Sequence, residues 1–188
     1  LGALIAVSCE TDFVARTDDF EAMLTKLAKH VAENDPADVD AFYAQGWSGE
    51  EATTDEYIKQ VIGKLGENIK VTRLQCFSNP AGRIDSYIHH NDKMGALVNV
   101  TGDADTEQFA AFTKDLCIHI GFHNPPYMSR DEVSADEVTR ERAVFSEKVK
   151  DKPEAIQEKI IDGMMSKYYG EVVLPEQPWV KDDKSTVA

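Results

Sequence analysis

Basic side chains are scarce in this sequence of 188 residues: 20 Lys and Arg stand against 34 Asp and Glu, leaving a formal charge of −14. Sequence-independent binding to nucleic acid works by neutralising phosphates with basic side chains, so this balance argues against a phosphate backbone as the main ligand. Long apolar runs are missing as well. None approaches the roughly 20 residues a helix needs to cross a bilayer, and no basic amphipathic segment offers itself to a membrane surface. Cysteine is sparse. Cys9, Cys76 and Cys117 are odd in number and form no CxxC, which points to a reducing compartment rather than a disulfide framework. Phosphate-cradling loops, HExxH, GxSxG and dinucleotide fingerprints are all absent. Gly63-Lys64-Leu65-Gly66 lacks the strand-to-helix context and the hydroxyl of a P-loop. The expectation is a protein in aqueous solution, without covalent chemistry and without a cofactor.

What is present suits a globular core. Hydrophobic residues make up 42% of the chain, enough for one ordinary domain or two small lobes. The chain starts at Leu1 inside an apparent strand and ends at Thr186-Val187-Ala188, where a capped helix could begin, and so reads as a fragment or a processed chain.

An internal repeat organises the rest. Gly2 to Ser8 (GALIAVS) and Gly95 to Thr101 (GALVNVT) are near-copies that suit strands rich in branched residues. A helical pattern follows each, with Phe20, Leu24, Leu27 and Val31 in the first and Phe109, Phe112, Leu116 and Ile120 in the second. His30-Val31 then matches His119-Ile120, and Pro36 matches Pro125 as a helix terminator. Gly95 stands 93 places after Gly2 but Phe109 only 89 after Phe20, so the first copy holds four more residues between strand and helix. The stretch CETDFVAR, Cys9 to Arg16, falls in that interval. A position where sister units differ is a better place to seek function than one where they agree.

Between the copies, Asn68 to Phe77 and Arg83 to His90 read as strands joined by the turn signal Ser78-Asn79-Pro80-Ala81-Gly82. The loop Asn91-Asp92-Lys93-Met94 then leads into Gly95. Two more helices are expected between Asp35 and Gly66, separated by Gly46-Trp47-Ser48-Gly49. Ser134-Ala135-Asp136-Glu137 reads as a capping box opening one helix, and Asp151-Lys152-Pro153-Glu154 starts a second, with Ile156, Ile160, Met164 and Tyr168 on one side and an end at Gly170. Ile161, Met165 and Tyr169 widen its apolar face, which suggests contact with another subunit or protein. The expected fold class is α+β: two related sub-lobes of antiparallel sheet covered by helices, with an inserted antiparallel helical hairpin. The boundaries drawn are 1–82 and 83–133 for the sub-lobes, 134–172 for the hairpin and 173–188 for a return to the second sub-lobe.

Few residues suggest chemistry. Cys117, His119 and His123 form C-x-H-x3-H on a helix, but without a fourth ligand the buried face of a helix explains them better than a metal does. His89 and His90 follow a strand, so one imidazole faces inward and the other outward. The sequon Asn99-Val100-Thr101 sits in a strand and is accidental. Thr11-Asp12-Phe13-Val14 has two readings. In one, Thr11 or Asp12 caps the following helix and Phe13 packs on it. In the other, Phe13 is an exposed wedge, a rigid aromatic beside a carboxylate able to disturb a charged or metal-containing site on a partner.

Five ordered stretches, VSCETDFVARTDDF, IGKLGENIKVTRL, SYIHHNDKMGALV, NPPYMSRDEV and GEVVLPEQPWVKDDKSTV, resemble the elongation factor Ts family across nearly the whole chain. The resemblance implies a core of two sub-lobes with a helical hairpin that mediates dimerisation in some members. It also implies a guanine-nucleotide exchange factor that promotes GDP release from GDP-bound elongation factor Tu. The TDFV element would contact the partner's nucleotide-binding domain. Phe13 would wedge beside a switch helix, Asp12 would help disturb the magnesium site, Thr11 and Val14 would complete the motif, and Leu65, Gly66 and His89 would add supporting contacts. Family members usually begin with a small helical domain and continue with a further strand and helix, neither of which is here. The implied location is the bacterial cytoplasm, or an organelle matrix. An adaptor that binds the same partner without exchange, and a metalloenzyme using Cys117, His119 and His123, are the alternatives from other classes.

Overall fold

The computed structural model describes residues 1–47, 51–102 and 106–188, and within them the chain divides into two compact units, Leu1–Cys117 and Ile118–Ala188. The fold is α+β. In the first unit, strand β1 (Gly2–Ser8) is followed by a one-turn helix α1 (Asp12–Ala15), then α2 (Asp18–Asn34), α3 (Val39–Ala44) and α4 (Thr54–Leu65). Strands β2 (Lys70–Phe77), β3 (Gly82–Ile88) and β4 (Gly95–Thr101) come next. Helix α5 (Glu107–His123) runs from the first unit into the second. Part of the expected Gly46–Gly49 separator, from Ser48 on, lies outside the described residues.

β1 pairs antiparallel with β2, from Gly2 opposite Phe77 to Ser8 opposite Lys70, with a register shift between Ala6 and Val7. β3 and β4 form an antiparallel hairpin, Gly82 opposite Thr101 and Ile88 opposite Gly95. The near-continuous apolar run of β1 has a physical reason, since both of its faces are covered. Ala3, Ile5 and Val7 pack onto the cluster of Phe20, Met23, Leu27, Val31, Phe42, Ile58 and Val71, which α2, α3, α4 and β2 supply. On the opposite face the chain approaches β3 and β4 so closely that a Cβ on Gly2 would lie 2.4 Å from Ile84.

Nine residues, 9–17, separate β1 from α2, whereas five, 102–106, separate β4 from α5. The four extra residues of the first copy correspond in length to α1. The helices of the two copies end alike, at Asp35 (φ 41°) and Asn124 (φ 44°), left-handed residues whose amides bond to the Val31 and Ile120 carbonyls just before Pro36 and Pro125. The buried stripes differ in part from expectation. Met23 and His30 join Phe20, Leu27 and Val31 in α2, while α5 buries Thr113, Leu116, Cys117 and His119 and leaves Phe109 and Phe112 only half-buried.

In the second unit α6 (Ala135–Val149) and α7 (Glu154–Val172) form a helical hairpin, followed by the short pair β5 (Pro178–Trp179) and β6 (Asp182–Thr186). The hairpin seam is Val149, Ile161 and Met165, with Ile156 exposed at the margin. The apolar face is therefore centred one residue further along than the Ile156 series suggests. Helix α7 also passes Gly170 and stops at Val172. Only half of the expected capping box forms. Ser134 accepts from the Glu137 amide, but the Glu137 carboxylate accepts hydrogen bonds from the Tyr127 and Tyr168 hydroxyls instead. Arg142 spans the two helices, donating to Glu158 at 2.8 Å and Asp162 at 3.0 Å.

One device occurs in both units. In the first, His30 Nε2 lies 3.0 Å from Gln45 Oε1, and the ring stacks on Trp47 at 5.1 Å. In the second, His119 Nε2 lies 2.9 Å from Gln177 Oε1, and the ring stacks on Trp179 at 5.3 Å. Both glutamine amides donate to carbonyls, of Asn34 and Glu171, so Oε1 accepts and each Nε2 carries its proton. The copies differ at the other ring nitrogen. His30 Nδ1 faces the Asn34 amide at 3.3 Å, but His123 occupies the corresponding place in the second copy and stacks on His119 at 4.4 Å. His119 Nδ1 is thus a buried lone pair without a partner among the described residues.

Burial holds the His119 imidazole below the usual histidine range; the Gln177 bond opposes the shift and His123 adds to it. The folded state refuses a proton that the unfolded chain accepts, so stability present above the unfolded value is lost as pH falls through it. The urea midpoint of the second unit is expected to drop between about pH 7.5 and about pH 5.5, and less so in His119→Gln. An identical pH dependence in that variant would assign the drop to other groups.

Candidate functional site

The corner between β1 and α2 is built from two threonine caps. Thr11, extended at φ −126° and ψ 154°, accepts from the Val14 amide at 3.3 Å and starts α1; Thr17 accepts from the Phe20 amide and starts α2. The Thr17 hydroxyl also donates to the Val14 carbonyl at 2.8 Å, closing the end of the short helix. One turn of helix places successive side chains on different sides. Val14 and Ala15 face the core cluster, while Phe13 is 83% exposed, the highest value among the large hydrophobic side chains described. The cap reading therefore holds for Thr11. Packing of Phe13 onto the helix, its companion, does not.

Asp12 pairs with Arg16 at 3.3 Å, with side chains 58% and 80% exposed. An ion pair so exposed contributes little, which leaves the carboxylate free to exchange partners. Cys9 Sγ donates to the Thr11 carbonyl, and partial burial, helped by Glu67, raises its thiol above the usual range.

Leu65 and Gly66 form the end of α4. Gly66 is left-handed at φ 75° and closes the helix through its amide to Ile62, a conformation that a side chain would strain. The next residue, Glu67, joins this end to the corner. Its carboxylate accepts from the Glu10 amide at 3.1 Å, the Thr11 amide at 2.9 Å and the Thr11 hydroxyl. These bonds, that from the hydroxyl foremost, hold the Glu67 carboxyl below the usual carboxylate range. Sequence reading did not single out Glu67, because a glutamate after a helix-ending glycine looks like any surface charge.

His89 belongs to the turn between β3 and β4, where its Nδ1 lies 2.8 Å from the Tyr87 hydroxyl and its ring is 4.1 Å from that of His90. It is half-buried and His90 is exposed, as alternation predicts. The structure thus brings Leu65, Gly66 and Thr11 to Val14 together through Glu67 and places His89 on a separate turn of the same unit.

Among the described residues no group of three or more His, Cys, Asp or Glu side chains is arranged to hold an ion. Burial, with Asp85 adding to it, pushes the Cys117 thiol up to about 11. No helix of the described residues is long and apolar enough to cross a membrane. Surface depressions of about 480 Å³ beside Glu56 and Lys59 and about 360 Å³ beside Phe109 and Phe112 include no residue of the corner.

The α+β fold thus lifts one aromatic, Phe13, out of a doubly capped corner, beside an acid and near the end of a neighbouring helix. Residues 10–188 match the family described as Elongation factor TS, and the chain belongs to that family. It is 37% identical over 193 residues to Elongation factor Ts of Trichlorobacter lovleyi and 41% identical over 189 residues to that of Syntrophotalea carbinolica, covering 99% of this chain and 62% of each relative. Elongation factor Ts of Deinococcus deserti is 38% identical over 187 residues, covering 98% of this chain and 67% of the relative. The chain spans about three fifths of the length of the first two.

Proposed function

We propose that this chain is a translation elongation factor Ts core that promotes release of GDP from elongation factor Tu. The observation that carries the reading is Phe13, 83% exposed on a corner whose sequence is the family's TDFV element. A large rigid aromatic offers contact area at low entropic cost. In this reading Phe13 enters the nucleotide-binding domain beside a switch helix. Asp12 leaves Arg16 and disturbs the surroundings of the magnesium ion that helps hold GDP. Thr11 and Val14 keep the corner rigid, one as cap and one as core anchor, while Leu65, Gly66 and His89 widen the contact. By linkage, a factor that weakens GDP binding is itself weakened by GDP to the same extent, so entering nucleotide ejects it. No covalent bond changes. The charge of −14 supports a protein partner over a nucleic acid, and the place of action would be the bacterial cytoplasm or an organelle matrix.

The test is release of a fluorescent GDP analogue from elongation factor Tu, followed with and without this chain. Acceleration is expected; binding without faster release would leave an adaptor and remove the exchange reading. The hairpin is proposed as a self-association surface, supported by exposed Val144 and Ile156. Sedimentation equilibrium is expected to give a dimer mass that Val144→Asp with Ile156→Asp reduces to a monomer, and a monomeric wild-type chain would refute it.

A further inference from the structure

We infer that Glu67 is the positioning residue of the corner, a carboxylate latch that fixes the direction in which Phe13 is presented to a protein partner. The inference rests on the exchange reading above and assigns a role to a residue outside the TDFV element.

The corner needs such a latch. Helix α1 has four residues, and one turn of helix does not hold itself together in water. The Asp12–Arg16 pair is too exposed to hold it. Val14 anchors one side and Cys9 packs on the same core, but Glu10 and Thr11 between them are exposed and have no core contact of their own. Glu67 ties both down, reaching Thr11 from 56 residues away. One oxygen accepts from the Glu10 and Thr11 amides at 3.1 and 2.9 Å, and the other accepts a hydrogen bond from the Thr11 hydroxyl. Hydrogen bonds to an ionised acceptor are stronger than neutral ones.

The hydroxyl bond carries further. Thr11 has one proton and two lone pairs. With the proton committed to Glu67, a lone pair is left facing the Val14 amide, which is the cap that starts α1. The latch therefore sets the rotor of the cap, and the cap sets the turn that displays Phe13. Gly66 is the other half of the device. Its left-handed turn ends α4 immediately before Glu67, so the expected contact residues Leu65 and Gly66 and the wedge at Phe13 are fastened to each other through one carboxylate. A partner that seats on the α4 end thereby meets Phe13 at a fixed distance.

The carboxylate form is required, since both oxygens accept and protonation turns one of them into a donor and removes the charge from the bonds to the other. Because the carboxyl is held below its usual range, the latch is present above that range and is lost as pH falls through the lowered value.

The experiment combines nucleotide release with amide NMR on the whole chain. In wild type the Glu10 and Thr11 amide resonances are expected to titrate together with a midpoint below the ordinary glutamate value of about 4.3. In Glu67→Gln and Glu67→Ala this titration disappears. Acceleration of GDP release is expected to fall about tenfold in Glu67→Ala, the scale of losing a charge-assisted hydrogen bond, with part recovered in Glu67→Gln, which keeps one acceptor oxygen. Should the alanine variant fail to fold, the glutamine variant and the wild-type titration decide the matter. Wild-type amides that do not titrate, or full acceleration by Glu67→Ala, overturn the latch. A wild-type chain without any effect on release sinks the exchange reading and this role together, which separates that failure from a fault in the assignment of Glu67 alone.

Discussion

Phe13→Ala is expected to remove nearly all acceleration of GDP release while leaving the fold intact. Two facts set the size of the effect. Phe13 is 83% exposed in the free chain, so its truncation costs the folded protein almost nothing in buried area, and the capped turn beneath it relies on Thr11, Thr17, Val14 and Glu67 instead. Central aromatic side chains at protein contacts are worth about 2 kcal/mol or more, about thirtyfold in rate or affinity. The variant should therefore show an unchanged urea midpoint and a release rate at least about thirtyfold closer to the spontaneous one. Acceleration equal to wild type would take the wedge out of the mechanism and leave Asp12 or the α4 end to account for it.

The largest stability loss should come from Phe42→Ala. Phe42 is wholly buried in the first unit, with its ring edge-on to His30 at 5.8 Å and to Tyr43 at 5.8 Å. Removing a buried phenyl ring leaves a cavity that its surroundings fill only in part, at about 3–5 kcal/mol. Hydrogen exchange of α2 and β2 amides reads that unit directly, and their opening free energy should fall by about that amount. A loss below about 1 kcal/mol would mean that the site collapses around the missing ring.

Much of this architecture is readable in the chain, because its strands and helices carry strong periods. The two near-copies GALIAVS and GALVNVT are β1 and β4 with the same ends, and the Pro36 and Pro125 stops follow left-handed residues in both helices. The extra length before α2 is legible as an offset, and its content as TDFV. Contacts that depend on distant pairing are not legible. Glu67 meets Thr11 only because β1 and β2 run antiparallel, which brings Ser8 opposite Lys70. Glu137 has the spacing of a capping box, yet two tyrosine hydroxyls compete successfully for its carboxylate. Phe109 and Phe112 fit a single amphipathic stripe, yet α5 leaves both half-buried and buries Thr113, Leu116, Cys117 and His119. The repeated Gln-x-Trp is hidden for another reason: Gln177 stands 132 places after Gln45, far from the 89 that relates the helices, since the hairpin intervenes.

That repeated pair of stacked rings equips the molecule with its own optics. Its two tryptophans, Trp47 and Trp179, stand one in each unit, and each lies face to face with a histidine. An indole stacked on an imidazole emits differently once the imidazole gains charge or moves away. Replacing either tryptophan with phenylalanine leaves a single emitter, so one chain reports the unit that carries the corner and the other the unit that carries the hairpin, with no dye attached.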